Sequence, residues 1–335
     1  MFEIIGDGGV TSPKGFTAGA TYAGLKTERD TLDLGILFSD MPAVAAATFT
    51  QNSVVSPSVI VSRNRLSNDT HRGIVVNSGC ANCSVGSQGV LDAEEMISLA
   101  SKNLEVSPDD LFVASTGMIG VELPMALIRQ NIGNIKLDNN SGSDFAKSMM
   151  TTDTYHKERA VSFIHDGETV VIGGASKGVG MIHPNMATML CFISTDANVD
   201  KLFLQEVLSD VVNDSFNMID VDGDQSTNDS VILLANGASE TSQINKGSDS
   251  ADAFKEALSY VCVELAKELV KDGEGAKTLV EVSVEGARTK EDARKSSRAI
   301  ASSILVKAMV HGKDPNWGRI VMALGSSGID IEENK

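Results

Sequence analysis

The sequence predicts a mixed α/β fold. Short apolar runs rich in Val and Ile recur between clusters of Gly, Asn and Ser, the pattern of buried strands that end in turns. Between them lie longer stretches whose apolar residues repeat at helical spacing. No internal repeat or low-complexity segment interrupts this alternation, and composition alone marks no domain boundary.

Residues 73–76 (Gly-Ile-Val-Val) and 111–114 (Leu-Phe-Val-Ala) read as buried strands, and between them Ala93, Ile97, Ala100 and Leu104 share one helical face. Residues 161–174 read as a hairpin, because two apolar runs flank Asp166-Gly167, a type I′ turn signal. Residues 189–194 predict a further strand, and a helix is expected to follow Asp200. A strand at 231–235 leads into residues 236–252, whose Gly, Ser, Asn and Thr content reads as a linker or long loop. Phe254, Leu258, Val261, Leu265 and Leu269 then define a helix that closes at Asp272-Gly273. In residues 279–284, Val280, Val282 and Val284 alternate with Glu281, Ser283 and Glu285, which predicts a strand with one wet face. A last helix is expected from Thr289, where Asp292 stands in the place of a capping-box acid.

With 335 residues, 42% hydrophobic and 22% charged, the chain can bury a sizeable core as one large domain or two smaller ones. Aromatics make up only 4%, so Val, Ile, Leu, Met and Ala must fill that core. A formal charge of −17 repels nucleic acid and anionic membrane surfaces. It suits a cationic small substrate, although solubility alone accounts for it. No apolar run approaches the ~20 residues of a membrane span. The N-terminus lacks a signal peptide's basic start and apolar stretch, and four cysteines make no disulfide framework. Together these features predict a cytoplasmic protein.

Most signals of chemistry are weak. Cys80-Ala81-Asn82-Cys83 has zinc-knuckle spacing without a second Cys/His pair nearby, which argues for small core or loop cysteines. Residues 173–178 (Gly-Gly-Ala-Ser-Lys-Gly) lack the Gly-Lys-Ser/Thr order of a phosphate loop. Five scattered histidines disfavour a Ser-His-Asp hydrolase. Residues 176–190 (Ser-Lys-Gly-Val-Gly-Met-Ile-His-Pro-Asn-Met-Ala-Thr-Met-Leu) stand apart. A glycine-rich stretch carrying Lys177 leads through Pro-Asn to Thr188, which opens an apolar run. An internal threonine has no base for its hydroxyl. Cleavage after Ala187 would give Thr188 a free α-amine of pKa about 7.7–8, able to accept that proton. The plain alternative is a β-branched residue that starts a strand.

That segment closely resembles the processing site of ornithine acetyltransferases, a family that includes the bifunctional glutamate N-acetyltransferases of arginine biosynthesis. Ordered matches run from residues 8–16 (Gly-Gly-Val-Thr-Ser-Pro-Lys-Gly-Phe) to 314–319 (Asp-Pro-Asn-Trp-Gly-Arg). Between them lie Asn77-Ser78-Gly79, Ser115-Thr116-Gly117-Met118-Ile119-Gly120 and Thr151-Thr152-Asp153-Thr154. Asp222-Gly223-Asp224, Ser226-Thr227-Asn228-Asp229 and Asp272-Gly273-Glu274-Gly275-Ala276 complete the series.

The resemblance implies an α/β fold of helices packed on mixed sheets, of the self-processing N-terminal-nucleophile type. It implies cleavage between Ala187 and Thr188 into an α chain (1–187) and a β chain (188–335) that assemble as an α2β2 heterotetramer. The implied reaction is ping-pong: N-acetylornithine acylates Thr188, ornithine leaves, and glutamate takes the acetyl group. No cofactor and no metal is implied, and acetyl-CoA is a possible second acetyl donor. Thr116 and Gly117 would form the oxyanion hole, Lys177 and Thr154 would contact substrate, and Glu274 would pair with a substrate ammonium. Loop or turn roles are the plain alternatives for the last three.

Two departures from the family pattern stand out. His183 occupies a position usually held by a small residue, where it is expected to be neutral, although it could hinder cleavage or act as an extra base. Family members also continue past the equivalent of Lys335 with strands, an Asn and a hydroxyl that line the pocket. The resemblance therefore implies that a chain ending there is catalytically weak, partner-dependent or incomplete. A self-processing aminopeptidase with the same nucleophile, and an inactive relic, remain as alternatives.

Overall fold

The computed structural model of the chain describes residues 1–28, 30–183 and 189–331. Its strands are β1 (Phe2–Ile5), β2 (Phe16–Thr21), β3 (Leu34–Phe49), β4 (His71–Cys80), β5 (Leu111–Met118), β6 (Lys157–His165), β7 (Glu168–Lys177), β8 (Leu190–Thr195) and β9 (Ser230–Ala235). The helices are α1 (Pro57–Arg65), α2 (Gln88–Leu104), α3 (Met125–Asn131), α4 (Gly142–Ser148), α5 (Lys201–Asp214), α6 (Ala251–Lys271), α7 (Lys290–Ser302), α8 (Ile304–His311) and α9 (Gly318–Gly325).

The strands run in the order β1-β6-β7-β8-β9-β3-β4-β5, with β2 also on β3. The long β3 serves two sheets. Its first half, Leu34 to Phe38, lies between β2 and β4, and after an irregularity Val44 to Phe49 pair with β9. The β4–β5 and β8–β9 ladders are parallel and the others antiparallel, so both sheets are mixed.

Burial follows a four-layer sandwich. On one outer side Val161, Ile172, Ile193 and Leu233 pack under Val207 and Val211 of α5 and Leu258 and Leu265 of α6. Between the sheets Phe192, Ile232 and Leu234 meet Phe16, Leu37, Ile74 and Phe112. On the far side Ile36, Val75 and Val113 are covered by Met96 and Ile97 of α2 and Ile128 of α3. Fully buried aliphatic side chains of this size stabilise by ~1.5–3 kcal/mol each, so branched aliphatics sustain the core without many rings.

Local chemistry explains the elements that the sequence predicted. Asp166 and Gly167 both adopt positive φ (54° and 81°), as a type I′ turn requires, and join β6 to β7. The Asp200 carboxylate caps α5 by accepting from the amides of Leu202 and Phe203. Thr289 caps α7 by accepting from the Asp292 amide. The glycine-rich stretch 173–178, which the sequence disfavours as a phosphate loop, lies largely in β7.

One expectation is corrected. Residues 279–284 form no strand: no other strand pairs with them among the described residues, and Leu279 and Val280 are about two-fifths exposed. Alternation specifies a face, but a strand also needs a ladder partner. Of the linker or long loop expected at 236–252, residues 236–250 form the long loop, packed against the body of the fold, and 251–252 open α6. Asn236, Ser239, Thr241 and Ile244 are buried, and Ile244 exchanges backbone bonds with Asn198 (2.8 Å) and Asp200 (2.9 Å). Helices α7 to α9 build a satellite cluster around Ile300, Val306, Met309 and Ala323. No helix among the described residues is long and apolar enough to cross a membrane.

Candidate functional site

Thr116 and Gly117 lie near the end of β5, in parallel register with Ser78 and Gly79 of β4. Backbones meet closely here. A Cβ on Gly117 (φ +131°) would stand 2.3 Å from the Gly79 carbonyl carbon, and one on Gly79 (φ +106°) 2.5 Å from the Leu25 oxygen. Only glycine satisfies both the conformation and the space. Asn228, just ahead of β9, fixes this end by donating to the carbonyls of Ala81 (2.6 Å) and Ser115 (2.8 Å).

Lys177 ends β7 and is buried. Its ammonium donates to the hydroxyls of Thr151 (2.9 Å) and Thr116 (3.3 Å) and lies 3.9 Å from the Asp153 carboxylate. Burial lowers its pKa below the ordinary lysine value, and Lys157 adds to this, while Asp153, Asp229 and Glu274 oppose it. Lys177 pairs with Leu190 of β8, and Leu190 pairs on its other side with Ser230 of β9. The strand that follows the predicted nucleophile therefore starts between Lys177 and Ser230. Met189 is buried, and its carbonyl accepts from the Ser230 amide at 3.0 Å. Ala187 and Thr188 themselves lie outside the described residues.

Thr154 is exposed, and its amide (3.0 Å) and hydroxyl both donate to the Asp272 carboxylate at the end of α6. Beside it the buried ammonium of Lys157 donates to Asp153 (2.8 Å) and Asp272 (2.7 Å), with the Tyr155 ring 4.8 Å away. Burial would raise the Asp153 pKa, but Lys177, Lys157 and the Gly178 amide outweigh it and hold the carboxyl below its usual range. Glu274 follows α6. Its amide donates to the Val179 carbonyl (2.8 Å), and its exposed carboxylate accepts from the Thr152 hydroxyl (2.7 Å).

The Thr151-Thr152-Asp153-Thr154 loop thus gathers the predicted residues. It touches Lys177 through Thr151, Glu274 through Thr152 and the end of α6 through Thr154, and Lys177 in turn reaches Thr116. A buried cation and an exposed carboxylate tied to one loop suit a substrate carrying both a carboxylate and an ammonium. A cavity of about 480 Å³ opens beyond Glu274, lined by Asp220, Val270, Leu279 and Lys307, and neither Lys177 nor Thr116 borders it. Among the described residues no group of three or more His, Cys, Asp or Glu side chains is placed to hold a metal, and Cys80 and Cys83 are buried and free.

Sequence reasoning missed the Asp153–Lys157–Asp272 group. The one available signal was Lys157 four residues after Asp153 at the mouth of an apolar strand, where a lysine has to find a partner or stay wet.

The ArgJ family model matches residues 17–335. "Arginine biosynthesis bifunctional protein ArgJ" of Dehalococcoides mccartyi is 50% identical over 331 residues, covering 98% of this chain and 82% of the relative. "Glutamate N-acetyltransferase" of Methanocaldococcus jannaschii is 49% identical and covers 97% and 80%. Among solved structures, ornithine acetyltransferase complexed with ornithine from Mycobacterium tuberculosis matches with a TM-score of 0.52 and 31% identity, over 55% of this chain and 99% of that one. Motifs, fold and relatives agree: the chain belongs to the ArgJ family.

Proposed function

We propose that this chain is a self-processing acetyltransferase of arginine biosynthesis that moves the acetyl group of N-acetylornithine to glutamate through Thr188. The observation that carries this reading is the register that pairs Lys177 with Leu190 while the Lys177 ammonium reaches Thr116 at 3.3 Å. The names of the relatives support the same substrates.

In self-processing, the Thr188 hydroxyl attacks the Ala187 carbonyl and the peptide C–N bond breaks. Water then hydrolyses the resulting ester. This releases the α chain, 1–187, with a new carboxylate, and leaves 188–335 with a free threonine amine. That amine takes the Thr188 hydroxyl proton as the oxygen attacks the acetyl carbon of N-acetylornithine. Thr116 and Gly117 stabilise the tetrahedral oxyanion, and a donor so aimed is worth ~3–4 kcal/mol. The acetyl C–N bond breaks, and the proton passes to the departing amine of ornithine. The neutral α-amine of glutamate then attacks the acetyl ester and returns a proton to the Thr188 oxygen. No external electron or cofactor enters the balance.

Lys177 holds the substrate α-carboxylate, and Glu274 receives the side-chain ammonium of the ornithine-type donor. The hydroxyl proton of Thr154 is committed to Asp272, which leaves its lone pairs for a substrate donor. Acetyl-CoA would acylate the same threonine, and product formation from acetyl-CoA and glutamate alone tests that second activity. A soluble α2β2 assembly in the cytoplasm completes the proposal.

The test is the intact mass of the denatured protein and of its Thr188→Ala variant, followed by the acetyl-transfer assay. Two fragments, the second starting at Thr188 and lost in the variant, are expected, with transfer from N-acetylornithine to glutamate. One uncut mass, or acetyl release to water only, would overturn the proposal.

A further inference from the structure

The chain that leads toward the predicted cut is strained and held. Met181 adopts φ +54°, in the left-handed region that disfavours a side chain. A single carboxylate secures this turn: Asp222 accepts from the amides of Met181 (2.6 Å) and Ile182 (2.9 Å), one on each oxygen. The Val221 amide donates to the Ile182 carbonyl at 2.7 Å, and Ile182 forms an antiparallel bridge with Gln225.

One residue on, Nδ1 of His183 lies 2.6 Å from Asp220, whose side chain is 1% exposed. An Arg298 guanidinium nitrogen stands 3.4 Å from Nε2. Arginine only donates, so Nε2 accepts and the ring proton sits on Nδ1, facing Asp220. The second Asp220 oxygen binds the ammonium of Lys307, which also donates to the Val221 carbonyl (2.7 Å). The held residues, Met181 to His183, precede the predicted cut. The residues that hold them, Asp220 to Gln225, Arg298 and Lys307, all follow it.

We propose that Asp222 and Asp220 are positioning residues for self-cleavage, a clamp that fixes the start of the segment leading to the Ala187–Thr188 bond. Asp222 acts through the strained Met181 turn and Asp220 through His183. The inference rests on the reading that Thr188 is freed by self-cleavage. It gives His183 a task that the small residue usual at this position could not perform.

The experiment follows freshly synthesised full-length chain by intact mass over time, with Tm measured alongside. Asp222→Ala is expected to cut roughly tenfold to a hundredfold more slowly, the range a misplaced reacting group produces. Met181→Gly accommodates positive φ freely, so its Tm is expected to hold while its cleavage slows, a split that a merely structural turn would not show. His183→Ala is expected to slow cleavage, and His183→Asn, which keeps a donor near the Nδ1 position, to restore it. Cutting of Asp222→Ala and Met181→Gly at the wild-type rate would overturn the clamp while leaving self-processing intact. An uncut wild type would overturn self-processing, and the clamp with it.

Discussion

The Lys157 ammonium lies 2.7 Å from an Asp272 oxygen, although 115 residues separate the two and their side chains are 0% and 3% exposed. The pair fastens the start of β6 to the end of α6, directly beneath the Thr154 loop. A buried charge deprived of its partner typically costs 3–5 kcal/mol.

Lys157→Ala leaves both Asp153 and Asp272 without their shared cation. Its unfolding free energy in urea is expected to fall by about 3–5 kcal/mol. A loss below about 1 kcal/mol, the value of an exposed pair, would show that water reaches these groups.

His71 sets a pH dependence. Burial first, and Lys201 second, lower its pKa from 6.5 to about 4, against a weak backbone contact at Asn68. Its ring stacks on Phe112 with centroids 4.3 Å apart. The folded-state pKa is depressed, so the unfolded chain binds the proton more tightly and stability rises with pH across the window. The contribution is complete above pH 6.5 and is lost as pH falls toward 4, up to ~3 kcal/mol. His71→Phe keeps a ring on Phe112, and its Tm is expected to change less between those limits than that of the wild type.

Gly117→Ala places a methyl group 2.3 Å from the Gly79 backbone at a φ of +131°. The positive φ alone costs of order 1–3 kcal/mol, and the overlap forces β4 and β5 to shift locally. Loss of acetyl transfer with a folded circular dichroism spectrum is the expected outcome. Full activity would remove Gly117 from the proposed oxyanion hole.

Lys177→Met removes a charge that burial disfavours. Stability is expected to fall by less than in Lys157→Ala, because Asp153 keeps Lys157 as a partner, while kcat/KM for the acetyl donor falls about a hundredfold. Lys177→Arg is not expected to rescue, since a planar fork does not replace a buried point charge between Thr151 and Thr116. Rescue by arginine would indicate a carboxylate partner in open solvent.

Legibility in the sequence followed how local the cause was. The β6–β7 turn and the caps at Asp200 and Thr289 depend on residues within a few positions, and each was readable. β3 was not, because Asp40, Met41 and Pro42 interrupt its pattern while distant strands keep it extended. Residues 279–284 failed in the opposite sense, since their alternation is genuine but their ladder partner is absent among the described residues. At the site, the motifs named Thr116, Lys177 and Glu274. The buried Lys157 bridge stayed hidden because an isolated Asp or Lys in a sequence reads as a solvated charge.

β8 and β9, which follow the predicted cut, are inserted between β7 and β3, which precede it. Hydrogen-bonded ladders run along both flanks, from Ile172 to Lys177 on one side and from Val44 to Phe49 on the other. Severing the chain near Thr188 would therefore separate no domain from another. The two pieces are dovetailed, and dilution alone would not part them. Expressed as separate polypeptides, the first would hold all of β2, β4 and β5, but the sheet that runs from β1 to β9 and β3 would be divided between them, and each piece would act as the folding template of the other there.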